Sequence, residues 1–473
     1  MKTITATDLK KLTGAAVTNG DALKRRKLQR VCTDSRSVRA GDLFVALKGE
    51  TFDAHTFLDA VLAAEPSALL VHHGWARENA GRLASLPCAV CAVPDTTAAF
   101  GELARTYRRK FGIPVIAVGG SNGKTTTKEM VTAVLRTRFE VLATEGNLNN
   151  HIGVPQTLFR LDEHHGAAVV EIGTNHFGEL RHLCAVAEPT HGLLTNIGRE
   201  HLEFFGDEAG VAKEETELFR HLAETKGFVF LNADDPYLAK ELKGLKRVLS
   251  YGAAPKADVR VRRVHAGPTG AYRFQLEWGA KDITVPVRLS VPGAHNVINA
   301  AAAAAVGLKL GVRPKRAAEA LAAFVSASKR MEVMEHVGVT VLNDTYNSNP
   351  DSVMAALRTL VSVAATGRKV AVLGDMRELG EASKREHTGI GAAAAEMPVD
   401  RLYTFGTFSK YTQEAFGGER SAHYESKEAL SADLKAFLRP GDVVLVKGSR
   451  GMRMEDVTAV LVPSAAGQTR KEH

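Results

Sequence analysis

The chain is 473 residues long, 45% hydrophobic and 24% charged, with a formal net charge of +8. That length exceeds one ordinary core and predicts roughly two to four domains, and the composition excludes a disordered, collagenous or disulfide-stapled chain. Lys and Arg are scattered, with short clusters at 24–27 and 260–263, which argues against nucleic acid as a partner and fits an anionic small-molecule substrate.

The alanine-rich run at 297–306 is far shorter than the ~20 apolar residues of a membrane span. Residues 1–10 lack a signal-peptide core. No membrane span is expected, and the expected location is the cytoplasm. Cys88 and Cys91 form a C-x-x-C, but Cys32 and Cys184 supply no second pair. The surrounding apolar run reads as a strand, so core cysteines are expected rather than zinc or redox chemistry.

Residues 1–111 read as a first unit. A polar turn carrying Ser35 and Arg36 feeds a strand from Asp42, followed by Asp53, His55 and a helical pattern over 57–64. On residue chemistry alone this is a surface turn whose polar groups also suit a ligand. The basic segment 107–112 reads as the connection onward.

Residues 112–327 alternate strand and helix as in an open, mostly parallel sheet. The apolar run 113–118 breaks at Gly119 and Gly120, and a helical pattern resumes at Lys124 with Met130, Val131, Val134 and Leu135 on one face. Strand, glycine loop and helix together make a phosphate-binding loop of Gly120, Ser121, Asn122, Gly123, Lys124, Thr125 and Thr126. Its backbone N–H groups and helix N-terminus attract phosphate, Lys124 reaches the outer phosphates and the Thr125 hydroxyl suits Mg²⁺. Val118 replaces the first glycine of the general pattern, so the loop is a shortened form. Glu171 interrupts the apolar strand 167–173 near its C-terminal end, where a carboxylate is costly unless paired or on a metal, and a Mg²⁺ ligand is the favoured reading. His201 follows the next strand, and alone it reads as structural. Residues 207–222 read as one helix whose Lys213, Glu214, Glu215 and Glu217 form a solvated face. A period-two pattern over 259–291 predicts a small antiparallel insert.

Residues 328–473 alternate again, with strands in 339–350, 369–375 and 442–450 that each end in polar residues, as in a doubly wound fold with its site at the strand ends. The tail after Val462 is polar and expected to fray.

In order and spacing, several segments together resemble the Mur ligases of peptidoglycan synthesis. They are Asp34–Arg36 with 41–49, the loop 120–126, 147–155, Glu171, 196–203, 293–296, 344–350 and 373–380. The segment 346–350 looks like the branch that adds D-alanyl-D-alanine. The resemblance implies an α/β protein of three domains: a small UDP-sugar-binding domain (1–111), a central P-loop ATPase-type sheet (112–327) and a C-terminal Rossmann-like ligase domain (328–473). It also implies ATP and Mg²⁺ as cofactors and UDP-N-acetylmuramoyl-tripeptide and D-alanyl-D-alanine as substrates. ATP phosphorylates the tripeptide carboxylate and the dipeptide amine displaces phosphate.

Carried over by residue, Thr125 and Glu171 match the first metal site and His201 a second. Asn296 matches an adenine contact, Arg330 the arginine facing the phosphates and Asp344 a ribose contact. Ser35 and Arg36 match the UDP-sugar site, Asn149 another substrate contact, and Asn347 and Asn349 lie where the dipeptide should be held. Most members carry a lysine carbamate that holds the second Mg²⁺ on the helix after the metal histidine; here Glu215 falls at that position and is expected to supply that negative charge directly or through a water, the alternative being a solvent-facing Glu. The resemblance leaves open whether the third peptide residue is diaminopimelate or lysine, and a monomer is expected. Two rivals stay open: a folylpolyglutamate synthase-like ligase, which the first domain disfavours, and a nucleotide-switched binding protein without ligase activity.

Overall fold

The computed structural model describes residues 2–463 apart from 26–27, 50–51 and 242–243. The tail from 464 onward and much of the basic cluster at 24–27 lie outside the described residues. Three mixed α/β domains follow one another, each built on its own sheet.

The first sheet has five strands, in the order Ala16–Thr18, Ala89–Val93, Ala68–His72, Asp42–Val45, Arg30–Cys32, and only the first runs antiparallel. Asp42–Val45 and Ala89–Val93 are buried at every position, as expected of strands covered on both faces. Cys32, Cys88, Cys91 and Cys184 are all buried, which bears out the core reading.

The helix Thr96–Arg108 is capped by Asp95, whose carboxylate accepts from the N–H groups of Thr97 and Ala98. Its last turn joins two domains rather than linking them loosely. The Tyr107 hydroxyl donates to the Leu161 carbonyl at 2.6 Å, and the buried Arg108 guanidinium donates to the carbonyls of Ala187 and Glu188, each at 3.1 Å. The segment expected to be a connection is therefore part of the interface, because its Tyr and Arg satisfy buried carbonyls that the central domain leaves open.

The second sheet has nine strands, with Val115–Gly119 between Ala167–Glu171 and His191–Leu194, all parallel. The antiparallel pairs Val259–Ala266, Ala271–Trp278 and Ile283–Pro292 extend this same sheet, so the expected insert is a continuation of it. On one face the helices Lys124–Arg136 and His295–Lys309 pack together. Met130, Val131, Val134 and Leu135 are fully buried against the alanine-rich face of the second helix. Small alanines let the two helices approach closely, and a Cβ on Gly307 would stand 2.3 Å from Val134.

The third sheet has six strands in the order Glu332–His336, Val339–Asp344, Val443–Lys447, Lys369–Gly374, Arg401–Phe405, Ser421–Tyr424, all parallel after the first. The helix Pro350–Ser362 leaves the second strand and crosses over the third to reach the fourth. Chain direction thus diverges at the carboxyl ends of these strands, where a doubly wound sheet opens a crevice.

Candidate active site

A cavity of about 750 Å³ lies between the carboxyl ends of the central and C-terminal sheets. The loop after Val115–Gly119 forms its floor. Gly120 adopts φ +104 and a Cβ there would meet Thr195 Oγ1 at 2.4 Å, so only glycine fits. Gly123, at φ +81, is the N-cap of the helix Lys124–Arg136 and offers no side-chain cap. The first N–H groups of that helix are left for an anion. Ser121, Asn122, Gly123, Lys124, Thr125 and Thr126 all line the cavity.

Lys124 is surrounded by acid. Its Nζ lies 3.3 Å from Glu200 Oε2. Burial works to lower the ammonium pKa, but Glu200, Glu215 and Glu171 outweigh it and hold Lys124 above its ordinary value. Glu171 is 2% exposed. One of its oxygens accepts from the Asn149 amide at 2.9 Å, while Oε2 has no partner. Asn149 therefore holds the Glu171 carboxylate as well as lining the cavity.

The charge run alone read as a solvated face of one helix, while the family resemblance put Glu215 at the metal site. The structure instead breaks that segment into Glu208–Glu215 and Glu217–Glu224 at Thr216, and both Glu214 and Glu215 are buried. Glu214 accepts from the backbone N–H groups of Gly178 and Leu180, each at 2.8 Å, serving the N-terminus of Glu179–Ala187, which has no cap of its own. Glu215 lies behind the phosphate loop, where Oε2 accepts from the Gly120 N–H at 2.8 Å and Oε1 has no partner. Burial and the neighbouring Glu200 push its pKa up against the opposing pull of Lys124. Lys213 stays exposed, its ammonium 5.5 Å from the centre of the Phe177 ring.

His201 lines the cavity in the left-handed region, at φ +48. Its Nδ1 lies 2.6 Å from Glu378 of the C-terminal domain, and its Nε2 faces Glu200 at 3.9 Å. Glu200 escaped the sequence reading, although its place beside His201 in the 196–203 segment was a usable signal. On the cavity wall the Thr125 hydroxyl and Glu171 Oε2, and behind the loop Glu215 Oε1, are hard oxygen donors of the kind Mg²⁺ takes, the two carboxylate oxygens having no hydrogen-bond partner among the described residues. Among the described residues no three His, Cys, Asp or Glu side chains form a ready-made metal cage.

The C-terminal domain supplies the opposite wall. Asp344 and Lys447 end adjacent strands in register, and their side chains pair at 2.6 Å. The second Asp344 oxygen accepts from the Met331 N–H at 3.0 Å. Asn296 is 3% exposed and donates to the Pro292 carbonyl at 2.7 Å. Asn299, unmarked by the sequence, donates to Asn296 Oδ1 at 3.1 Å and sits against Gly123. Asn347, Asn349 and Arg330 line the same cavity.

Ser35 and Arg36 do not line it. Arg36 pairs instead with Asp34 at 2.8 Å, and that guanidinium holds the Asp34 carboxyl down at about 2. The turn is nonetheless tied to the cavity's edge. Gln156 donates to Thr33 Oγ1 at 2.9 Å, and its helix Gly153–Leu158 directly follows Asn147, Asn149, Asn150 and His151, which line the cavity.

The family described as Mur ligase middle domain matches residues 118–307, and that described as Mur ligase, glutamate ligase domain matches residues 329–450. The chain is 37% identical over 442 residues to UDP-N-acetylmuramoyl-tripeptide--D-alanyl-D-alanine ligase of Escherichia coli, covering 92% of this chain and 94% of that one. It is 34% identical to the Bacillus subtilis ligase of the same name, covering 92% and 93%. Among solved structures it is similar to MurF from Acinetobacter baumannii, with TM-score 0.88, 32% identity and coverage of 98% and 100%. It is also similar to MurF ligase from Thermotoga maritima in complex with ADP, with TM-score 0.80, 29% identity and coverage of 91% and 96%.

Proposed function

The chain belongs to the Mur ligase family, and from that premise we propose that it joins D-alanyl-D-alanine to UDP-N-acetylmuramoyl-tripeptide at the expense of ATP. It is an ATP-dependent, ADP-forming peptide ligase. The observation that carries the reading is the single cavity that holds a phosphate loop on one wall and the cationic strand ends of the C-terminal domain on the other.

The loop N–H groups and Lys124 bind and neutralise the phosphates of ATP. Asn296 and Asp344 lie on the wall assigned to adenine and ribose. Asn296 already spends its amide on Pro292 and Asp344 pairs with Lys447, so each offers its remaining lone pairs and a fixed orientation. Arg330 faces the transferred phosphoryl group. The tripeptide carboxylate takes that group, and the dipeptide amine attacks the acyl phosphate and expels phosphate. Such a transfer between anions needs alignment and charge neutralisation more than a protein nucleophile.

Thr125 and Glu171 would hold one Mg²⁺, and His201, with Glu200 beside it and Glu215 behind the loop, a second. Mg²⁺ would supply charge neutralisation across the phosphates. Glu378 stands 2.6 Å from His201 Nδ1, so Nε2 is the ring nitrogen that would meet the metal. Ser35 and Arg36 in the first domain hold the UDP-sugar end, and Asn149 and Asn347 border the path of the peptide and the dipeptide. The domain boundaries follow as 1–111, 112–327 and 328–473. The enzyme works as a monomer in the cytoplasm, where ATP and nucleotide-linked sugars are available. Among the described residues no helix is long and apolar enough to cross a membrane.

The test is phosphate release measured across a grid of UDP-muramoyl peptides and amine acceptors. Release that requires both the UDP-muramoyl-tripeptide and D-alanyl-D-alanine supports the reading. Release indifferent to the amine favours a nucleotide-switched binding protein, and release with a folate and glutamate favours the folylpolyglutamate synthase-like ligase.

A further inference from the structure

Arg330 sits in the short segment that joins the central and C-terminal domains, and its backbone is pinned from both sides. Lys329 and Met331 both adopt left-handed conformations, at φ 63 and φ 52, a region that side-chain-bearing residues visit sparsely. The Lys329 N–H donates to Glu332 at 2.9 Å and the Met331 N–H to Asp344 at 3.0 Å. The Lys329 carbonyl in turn accepts from the Tyr346 N–H at 3.0 Å. These contacts fix the Cα of Arg330, but four side-chain torsions still separate it from its guanidinium.

What the guanidinium touches is the ring of Tyr346, whose centre lies 3.7 Å from Arg330 Cζ. Arg450 lies over the same ring at 5.2 Å. Neither arginine has a carboxylate within ion-pair distance among the described residues, whereas Arg199 and Arg368 each do. The difference has a chemical consequence. A carboxylate would consume both the charge and the in-plane donors of a guanidinium, while an aromatic face orders the cation by its quadrupole and leaves all the N–H groups open. Two unpaired cations sharing one ring repel each other until an anion joins them, and both line the cavity where phosphate is expected.

We propose that Tyr346 is the positioning residue for Arg330, and that Arg450 is a second cation held on the same ring to face the phosphoryl group in transfer. This rests on the ligase reading above. Because the stacked guanidinium is ordered before ATP arrives, the loss of the ring should fall on the chemical step rather than on nucleotide affinity.

The experiment compares wild type, Tyr346→Phe, Tyr346→Leu, Arg330→Ala, Arg450→Ala and the double variant Tyr346→Leu/Arg330→Ala in the phosphate-release assay, with thermal melting as a folding control. Tyr346→Phe should keep its rate within about three-fold and Tyr346→Leu should lose about ten-fold or more in kcat at near-constant KM for ATP. The double variant should be no slower than Arg330→Ala alone, and Arg450→Ala should slow turnover. If Tyr346→Leu melts far below wild type, Tyr346→Met, which fills similar space without a π face, takes its place. Multiplying effects in the double variant, equal loss in Phe and Leu, or a change in KM alone would overturn the positioning role. An unchanged rate in Arg450→Ala would remove the second cation. A wild-type enzyme that releases no phosphate with the full substrate set would count instead against the ligase reading.

Discussion

The side-chain amide of Asn349 donates a 2.9 Å hydrogen bond to Oδ1 of Asn122 in the phosphate loop, so the C-terminal domain touches the nucleotide-binding loop directly. The same side chain caps the helix Pro350–Ser362 by accepting from the Ser352 N–H at 2.8 Å. Asn122 is tied in turn to the central sheet, since its N–H donates to Asn196 Oδ1 at 3.1 Å and its carbonyl accepts from the Asn196 amide at 2.9 Å. Three asparagines thus connect the end of a central strand, the loop and the helix of the opposing domain. Asn349, expected to hold the dipeptide, lines the cavity with its amide hydrogen-bonded once at each end.

Asn349→Asp and Asn349→Ala separate these roles. Aspartate keeps the acceptor that caps the helix and loses the donor to Asn122, whereas alanine loses both. Asn349→Ala should lose about 1 kcal/mol of stability and Asn349→Asp much less, while both lower kcat/KM for ATP. Calorimetry and phosphate release measure the two effects, and wild-type kinetics in Asn349→Asp would show the bridge to be dispensable.

Lys124→Ala should abolish turnover and leave the fold intact. The lysine is asked for several kcal/mol of charge stabilisation in the transition state and for nothing in a core. Removing it also leaves Glu200, Glu215 and Glu171 without their shared cation, so the variant should bind ATP weakly even at high Mg²⁺. Near-normal activity would exclude the loop from the chemistry.

Glu215→Gln keeps an oxygen to accept the Gly120 N–H and removes the charge. The fold should hold, the Mg²⁺ requirement should rise and turnover should slow. Glu215→Ala should be worse in a different way, because it leaves a buried loop N–H without its partner at a cost of about 1–3 kcal/mol. Bicarbonate depletion should leave wild-type activity unchanged, since Lys213 lies over Phe177 rather than in the site. A titration of rate against Mg²⁺ that is identical for wild type and Glu215→Gln would refute the role.

Arg199 clasps the two domains. Its guanidinium reaches Asp351 at 2.6 Å and Glu386 at 2.8 Å, and its backbone N–H donates to Asp351 at 2.7 Å. Arg199→Ala should loosen the C-terminal domain and cost about 2 kcal/mol, the lower end for a partly exposed charge pair. Small-angle scattering should record a larger radius of gyration and rate should fall more than stability. An unchanged scattering profile with an unchanged rate would show the clasp to be incidental.

How far the site could be read from the sequence depended on how local the cause was. The phosphate loop was legible because its signals adjoin: an apolar strand, glycines that alone tolerate φ +104 and +81, and a helix with a three-to-four-residue apolar period. The burial of Glu171 was legible too, because a carboxylate ending an apolar strand stands out. The burial of Glu214 and Glu215 was not legible in the local pattern, since a run of charges on a helix looks solvated whatever lies opposite it, and only the family resemblance singled out Glu215. Their partners, the N–H groups of Gly178, Leu180 and Gly120, lie 34 to 95 positions away in the chain.

The sequence by itself determined the alternation of strand and helix in the central and C-terminal units and a glycine loop between a strand and a helix, because backbone freedom and hydrophobic period act between near neighbours. Only the tertiary structure decided which polar groups are spent within the protein and which remain for a ligand. The Asn349 amide is engaged at both ends, on Asn122 and Ser352, and Asp344 is fixed by Met331 and Lys447, while Arg330 and Arg450 lie on Tyr346 with no carboxylate at ion-pair distance among the described residues. Hydrogen bonds and ion pairs are short-ranged, and whether two such groups meet is fixed by how the sheets pack, which no local pattern encodes.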